Sequence, residues 1–137
     1  LSDDVDSLIW GKLIVNVGIN ALTAILRVKN GVVGKTPECV RIMRQAVEEA
    51  AAVANALGIK LPYDDPCERV IQVCEATAAN RASMLQDILK GARTEIGAIN
   101  GAIVDKGAAL GIETPANLFL TQIVEALEST AEHRILQ

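Results

Sequence analysis

Apolar residues fill almost every position of LIWGKLIVNVGINALTAIL (residues 8–26), and the polar ones among them recur at steps of four, as Lys12, Asn16 and Asn20. At 3.6 residues per turn such positions stay on one helix face, drifting about 40° per step. Thr23 and Arg27 extend the stripe, and Asn30 lies on it if the last turn holds. A helix apolar all round is normally buried. A buried amide or ammonium without a partner costs about 2 kcal/mol or more. The stripe therefore faces a wet cleft or a polar ligand, or else it is the solvent side of a partly exposed helix.

Helix punctuation is legible along the rest of the chain. Ser2 can cap the first helix, with Asp3 and Asp4 in its first turn, and Asn30-Gly31 is expected to close it. Thr36-Pro37 opens a second helix with an apolar face through Val40, Met43, Val47, Ala50, Val53, Ala54 and Leu57, ended by Gly58. Asp65-Pro66-Cys67-Glu68 reads as a cap, a proline at the first helical position and an acid three after the cap, for a helix running toward Asn80. Ser83-Met84-Leu85-Gln86 has the capping-box form and starts a short helix toward Gly91. Thr94 is expected to cap a helix through Ile99 and Ile103 to Leu110, closed by Gly111, and Thr114-Pro115 opens the last one. No stretch alternates with period two long enough to demand a strand. The expected fold is all-α, one domain over 1–137 with about six helices and no internal repeat or linker.

Composition narrows the partners. Half the residues are apolar, yet Trp, Tyr and Phe occur once each, so the core must be built from Ala, Leu, Ile and Val. The net charge of −4 argues against a nucleic-acid surface, which needs a basic stripe. Cys39, Cys67 and Cys74 are an odd number without CxxC spacing, which favours a reducing compartment over a disulfide framework. Cys67 and Cys74, seven apart, share a helix face as small hydrophobes, and the single His133 has no ligand cluster near it, so no metal site is expected. The 8–26 run is nearly long enough to span a bilayer, but Lys12 and two Asn near its middle make insertion costly. The first residue is Leu and no charged leader precedes the run, so a piece of a longer chain is expected.

Gly31-Val-Val-Gly34-Lys35-Thr36 ends like a phosphate loop, but Lys29 stands where that pattern needs glycine, and the segment follows a helix. No GxGxxG occurs, and Gly97 and Gly101 read as a close helix-packing face. Three further places could carry chemistry. Ser83 begins a helix whose free N–H groups suit a carboxylate or phosphate, or it is an ordinary cap. Glu95 benefits from a helix dipole, or pairs with Lys12 across a cleft. Asn100-Gly101 falls mid-helix on this reading, where both residues are poor formers, suggesting a close contact.

Taken in order, Lys12-Leu-x-x-Asn16-x-x-x-Asn20-Ala-Leu-Thr-Ala, Asn30-Gly31, Ser83-Met-Leu-Gln-Asp87, Arg93-Thr-Glu95-Ile, Ile99-Asn100-Gly101 and Gly111-Ile-x-Thr-Pro115 resemble the C-terminal domain of the ketopantoate reductase (2-dehydropantoate 2-reductase) family over essentially the whole chain. The resemblance implies a helical domain similar to that of 6-phosphogluconate dehydrogenases, with the family's N-terminal Rossmann domain absent from this chain. It implies Lys12 as the proton donor to the substrate carbonyl, with Asn16 and Asn20 on the substrate's hydroxyl side and Asn30 a further substrate-binding position. Ser83, helped by Met84, Leu85 and Gln86, would hold the substrate carboxylate, and Glu95 would contact NADPH. The implied setting is a cytoplasmic reductase of pantothenate and coenzyme A synthesis, acting on a 2-keto acid. Partners would be the Rossmann domain and, if the domain self-associates, a second copy, with neither nucleic acid nor membrane among them. Gly97 stands where the family often has Asp, and Ala82-Ser83 where it often has a doubled serine, which leaves room for a related NADP-linked 2-keto acid reductase. The contrasting class is a non-catalytic helical dimerisation module, for which Lys12 would have no use.

Overall fold

The computed structural model describes residues 2–135, apart from the side chain of Ser2, so the expected Ser2 cap lies outside the described residues. Its axis is α1, Ser2–Leu26, against which α3 (Pro37–Ala56), α4 (Pro66–Ala76), α5 (Ser83–Lys90) and α7 (Pro115–Ser129) all pack. The six-residue α2 (Asn30–Lys35) lies on α4, and α6 (Asn100–Leu110) lies on α7 and α3. No strand occurs among the described residues. The central position explains the composition of α1. Trp10, Ile14, Val17, Ile19, Ala21, Leu22 and Ala24 are all buried, and residues 17–24 are buried on every face of the helix. Its first turns run past the bundle, leaving Val5, Leu8 and Ile9 exposed. By composition α1 is long and apolar enough to cross a bilayer, yet 61% of its most apolar window is buried inside the bundle.

Small residues let the helices approach. A Cβ on Gly18 would sit 2.8 Å from Cγ1 of Val70, so a side chain there would push α4 off α1. Cys67, Val70 and Cys74 form the buried face of α4, as their spacing predicts. Asp65 caps α4 as expected, its Oδ1 accepting from the Glu68 N–H at 3.1 Å. Gly58 follows α3 at φ 75°, where its N–H donates to Asn55 and that of Ile59 to Ala54.

Several expected boundaries move. α1 stops at Leu26 rather than at Asn30-Gly31, because Arg27 turns left-handed at φ 57° and the Val28 N–H donates to the Thr23 carbonyl at 3.2 Å. Asn30 then opens α2, which brings the α-helices to seven, and the GKT segment is helical through Lys35. α4 ends at Ala76, short of Asn80. Ala82 occupies the cap position of α5 and Ser83 is its first residue, with no side-chain cap bond. The Thr94 hydroxyl does accept from the Ile96 N–H at 3.1 Å, but the turn it starts is a single 3-10 turn, Ile96–Ala98. Ile99, at φ −109° and ψ −93°, breaks the path, so Asn100-Gly101 begins α6 instead of lying mid-helix. Gly97 consequently faces open space and does not pair with Gly101.

The helices are tied by buried polar bonds. Glu49 of α3 accepts from the N–H groups of Ala116 (2.9 Å) and Asn117 (3.0 Å), serving as the cap that Thr114 does not provide for α7. The Asn117 amide donates to Glu49 (2.8 Å) and to the Ala46 carbonyl (3.0 Å), and its oxygen accepts from Asn100 (3.0 Å). Asn100 also reaches the Val17 carbonyl at 3.4 Å.

Two outcomes are expected. Glu49→Ala strands two N–H groups and leaves the Asn117 amide nitrogen only its Ala46 bond, and should lower stability by about 2–4 kcal/mol in chemical denaturation, against much less for Glu49→Gln. All three thiols are buried and burial pushes Cys74 up to about 11, so a thiol reagent at neutral pH should titrate them only after denaturation.

Candidate functional site

The polar stripe of α1 divides along its length. Lys12 is exposed and Asn16 half-buried, and both line one groove of about 530 Å³ between α1 and α4. Asn20, one turn on, is buried at 8% exposure, and Thr23 is buried with its hydroxyl donating to the Asn20 carbonyl at 3.0 Å. Arg27 leaves the stripe by its left-handed turn, and Asn30 leaves it with α2. The cleft and the satisfied helix are thus both present, at opposite ends of one stripe.

The groove exists because the 59–65 segment folds back over α1. A Cβ on Gly11 would meet Cγ of Pro62 at 2.6 Å, and the Tyr63 hydroxyl donates to the Gly11 carbonyl at 2.9 Å. Burial pushes the Tyr63 phenol above its ordinary value, opposed by the positive charge of Arg69. Arg69, Gln72 and Val73 of α4 form the facing wall, three and four residues apart on one helix face. Sequence reasoning missed Tyr63, Arg69 and Gln72. Their only sequence signal is that α4 turns its other face to the core.

Ser83 and Glu95 meet in a second groove of about 410 Å³, with Met84, Asp87, Arg93 and Ile99. Ser83 is exposed at the first turn of α5, where N–H groups have no intrahelical acceptor. Glu128 fixes the approach to Glu95 by accepting from the Thr94 N–H (2.7 Å) and hydroxyl (2.6 Å), with Arg93 at 3.9 Å. Met84 and Leu85 are core residues, and the Gln86 amide turns away to the Arg81 carbonyl at 3.0 Å. Glu95 does not pair with Lys12: the two line different grooves, and no ion pair joins them among the described residues. The physical reason is the break at Ile99, which takes Glu95 off the helix that would have aimed it across the cleft.

Asn30 sits apart from both grooves, at 8% exposure. Its amide donates to the Thr77 hydroxyl at 3.0 Å and its N–H to the Asn80 carbonyl at 3.1 Å, pinning the turn that leads into Ser83. Its Oδ1 is buried without a partner.

Comparison with known proteins points to the ketopantoate reductase family. The description "Ketopantoate reductase PanE/ApbA C terminal" matches residues 4–128. A 2-dehydropantoate 2-reductase of Pyrobaculum aerophilum is 43% identical over 129 residues, 94% of this chain but 46% of that protein. The crystal structure of a PanE/ApbA family ketopantoate reductase from Ralstonia eutropha JMP134 superposes with TM-score 0.86 at 38% identity, covering 93% of this chain and 42% of that one. D-mandelate dehydrogenase in ternary complex with NADH and anilino(oxo)acetate superposes with TM-score 0.80 at 36% identity, covering 90% of this chain and 41% of that one. The chain therefore spans less than half the length of these relatives. With nearly its whole length matched, this chain belongs to the ketopantoate reductase C-terminal domain family.

Proposed function

We propose that this chain is the substrate-binding helical domain of an NADPH-dependent reductase that converts ketopantoate to pantoate, working with a Rossmann domain of its parent protein. The observation that carries the reading is that Lys12 and Asn16 open onto one groove, while the middle of the same helix is buried. Lys12 holds its proton at Nζ on the groove wall, where it can meet a substrate carbonyl and deliver that proton as the oxygen becomes an alkoxide. Asn16 and, one turn deeper, Asn20 take the substrate's hydroxyl side. The resemblance implies Asn30 as a further substrate-binding position; buried apart from both grooves, it serves the site by pinning the turn that leads into Ser83. Ser83 takes the carboxylate with its hydroxyl and the free N–H groups of the α5 first turn, the role in which Met84, Leu85 and Gln86 join through their main chain. The cofactor, when bound, supplies the hydride. Glu95 and Arg93 offer an acceptor and a donor fork at the rim of the Ser83 groove, polar groups suited to a ribose and its attached amide.

A cytoplasmic setting fits the three free thiols, and a role in pantothenate synthesis follows from the substrate. A homodimer is part of the same reading, with the exposed Leu118 and Phe119 of α7 as apolar surface a second copy would cover. The likeness to D-mandelate dehydrogenase favours a second reading, a reductase of the same build acting on another 2-keto acid.

NADPH oxidation by the full-length enzyme should be rapid with ketopantoate, and Lys12→Ala should lower turnover about 10²–10⁴-fold while leaving the melting temperature near wild type. Activity retained within a few fold would remove Lys12 from the proton-donor role. The 137-residue chain alone should fold and transfer no hydride, because the cofactor's main binding domain lies outside it. Measurable NADPH oxidation by the isolated chain would contradict this division of labour.

A further inference from the structure

Arg69 is the charged group of the α1–α4 groove that the reaction above leaves without a task. Its position is fixed by α4. The Asp65 cap starts the helix, Cys67, Val70 and Cys74 commit one face to the core, and Arg69 and Gln72 are carried onto the groove wall opposite Lys12 and Asn16. Lys12 and Arg69 thus put two positive charges on one groove whose lining contains no Asp or Glu, in a chain of net charge −4. Among the described residues no carboxylate lies within 4.0 Å of Arg69, and the ion pairs present, Arg41 with Glu38 and Arg93 with Glu128, lie elsewhere. Tyr63 lines the same groove, and its hydroxyl proton is already given to the Gly11 carbonyl. An oxygen acceptor held between the two walls would meet a cationic donor from each.

We propose that Arg69 is a specificity residue. It receives an oxygen at the tail of the 2-keto acid whose carbonyl meets Lys12, so the site prefers tails ending in hydroxyl or carboxylate over aryl or alkyl tails. This rests on the function proposed above. Gln72, one turn further along α4, offers that tail a second donor and an acceptor. Arg69 is exposed at the groove rim, so a hydroxyl or carboxylate tail gains a charge-assisted hydrogen bond there that an aryl tail cannot make. The preference separates the two functional readings, since ketopantoate carries a tail hydroxyl and a mandelate-type keto acid carries a phenyl ring.

The test is steady-state kinetics of the full-length enzyme with ketopantoate, 2-oxoglutarate and phenylglyoxylate, for wild type, Arg69→Met and Arg69→Lys, with thermal melting to show that each variant is folded. In Arg69→Met the ratio of kcat/KM for the oxygen-tailed acids to that for phenylglyoxylate should fall about tenfold or more, through KM, and Arg69→Lys should recover part of it. A ratio that stays near or above the wild-type value, or falls through kcat alone, overturns the role of Arg69 while Lys12-dependent turnover, and with it the proposed function, stands. Failure of the wild-type enzyme to reduce any of the three acids overturns both.

Discussion

The burial of α1 is the constraint on which the rest of the structure depends. Five helices of the bundle, α2 to α5 and α7, pack against one that carries Lys12, Asn16, Asn20 and Thr23 along its length. Close packing around such a helix is tolerable only where each polar group finds a partner or water. Thr23 meets this by bonding the preceding turn, and Lys12 and Asn16 meet it by facing a groove. The groove is therefore a condition of the packing as much as a place for a ligand.

A second polar device holds the bundle around that groove. α6 contributes little direct packing to α1, yet Asn100 at its first position bonds both Asn117 of α7 and the Val17 carbonyl, beside Asn16. Glu49 anchors the other end of the chain on the first N–H groups of α7. A carboxylate at a helix N-terminus is doubly favoured, by hydrogen bonds and by the dipole, so one residue of α3 fixes where α7 begins. Through these bonds the turn of α1 that lines the groove is referenced to three other helices. That rigidity holds the groove wall of α1 at a fixed place relative to the rest of the bundle.

Much of the candidate site was legible because its residues lie on regular elements. Lys12 and Asn16 follow from helical spacing, and the two share a groove wall. Ser83 and Glu95 were singled out separately, and they meet in one groove although twelve residues separate them. What misled was local punctuation. Asn-Gly at 30–31 has the form of a helix stop, but Arg27 stops α1 earlier, an exposed cationic residue in a left-handed conformation that sends the Val28 N–H back to the Thr23 carbonyl. Ser83 has the form of a cap, but the chain enters α5 one residue sooner, at Ala82.

By itself the sequence determined that the protein is all-helical, that α1 is its core, where α3, α4 and α7 begin, and which polar residues of α1 share a face. These depend on spacing, proline and capping chemistry, which act over a few residues. Only the tertiary structure decided which of those polar residues reach open space. It also separated Glu95 from Lys12, buried Asn30 against Thr77, and supplied Tyr63, Arg69 and Gln72 as the opposite wall. The reason is that exposure and facing walls depend on residues about 50 positions away in sequence, brought together by close approaches at Gly11 and Gly18 that no local pattern encodes.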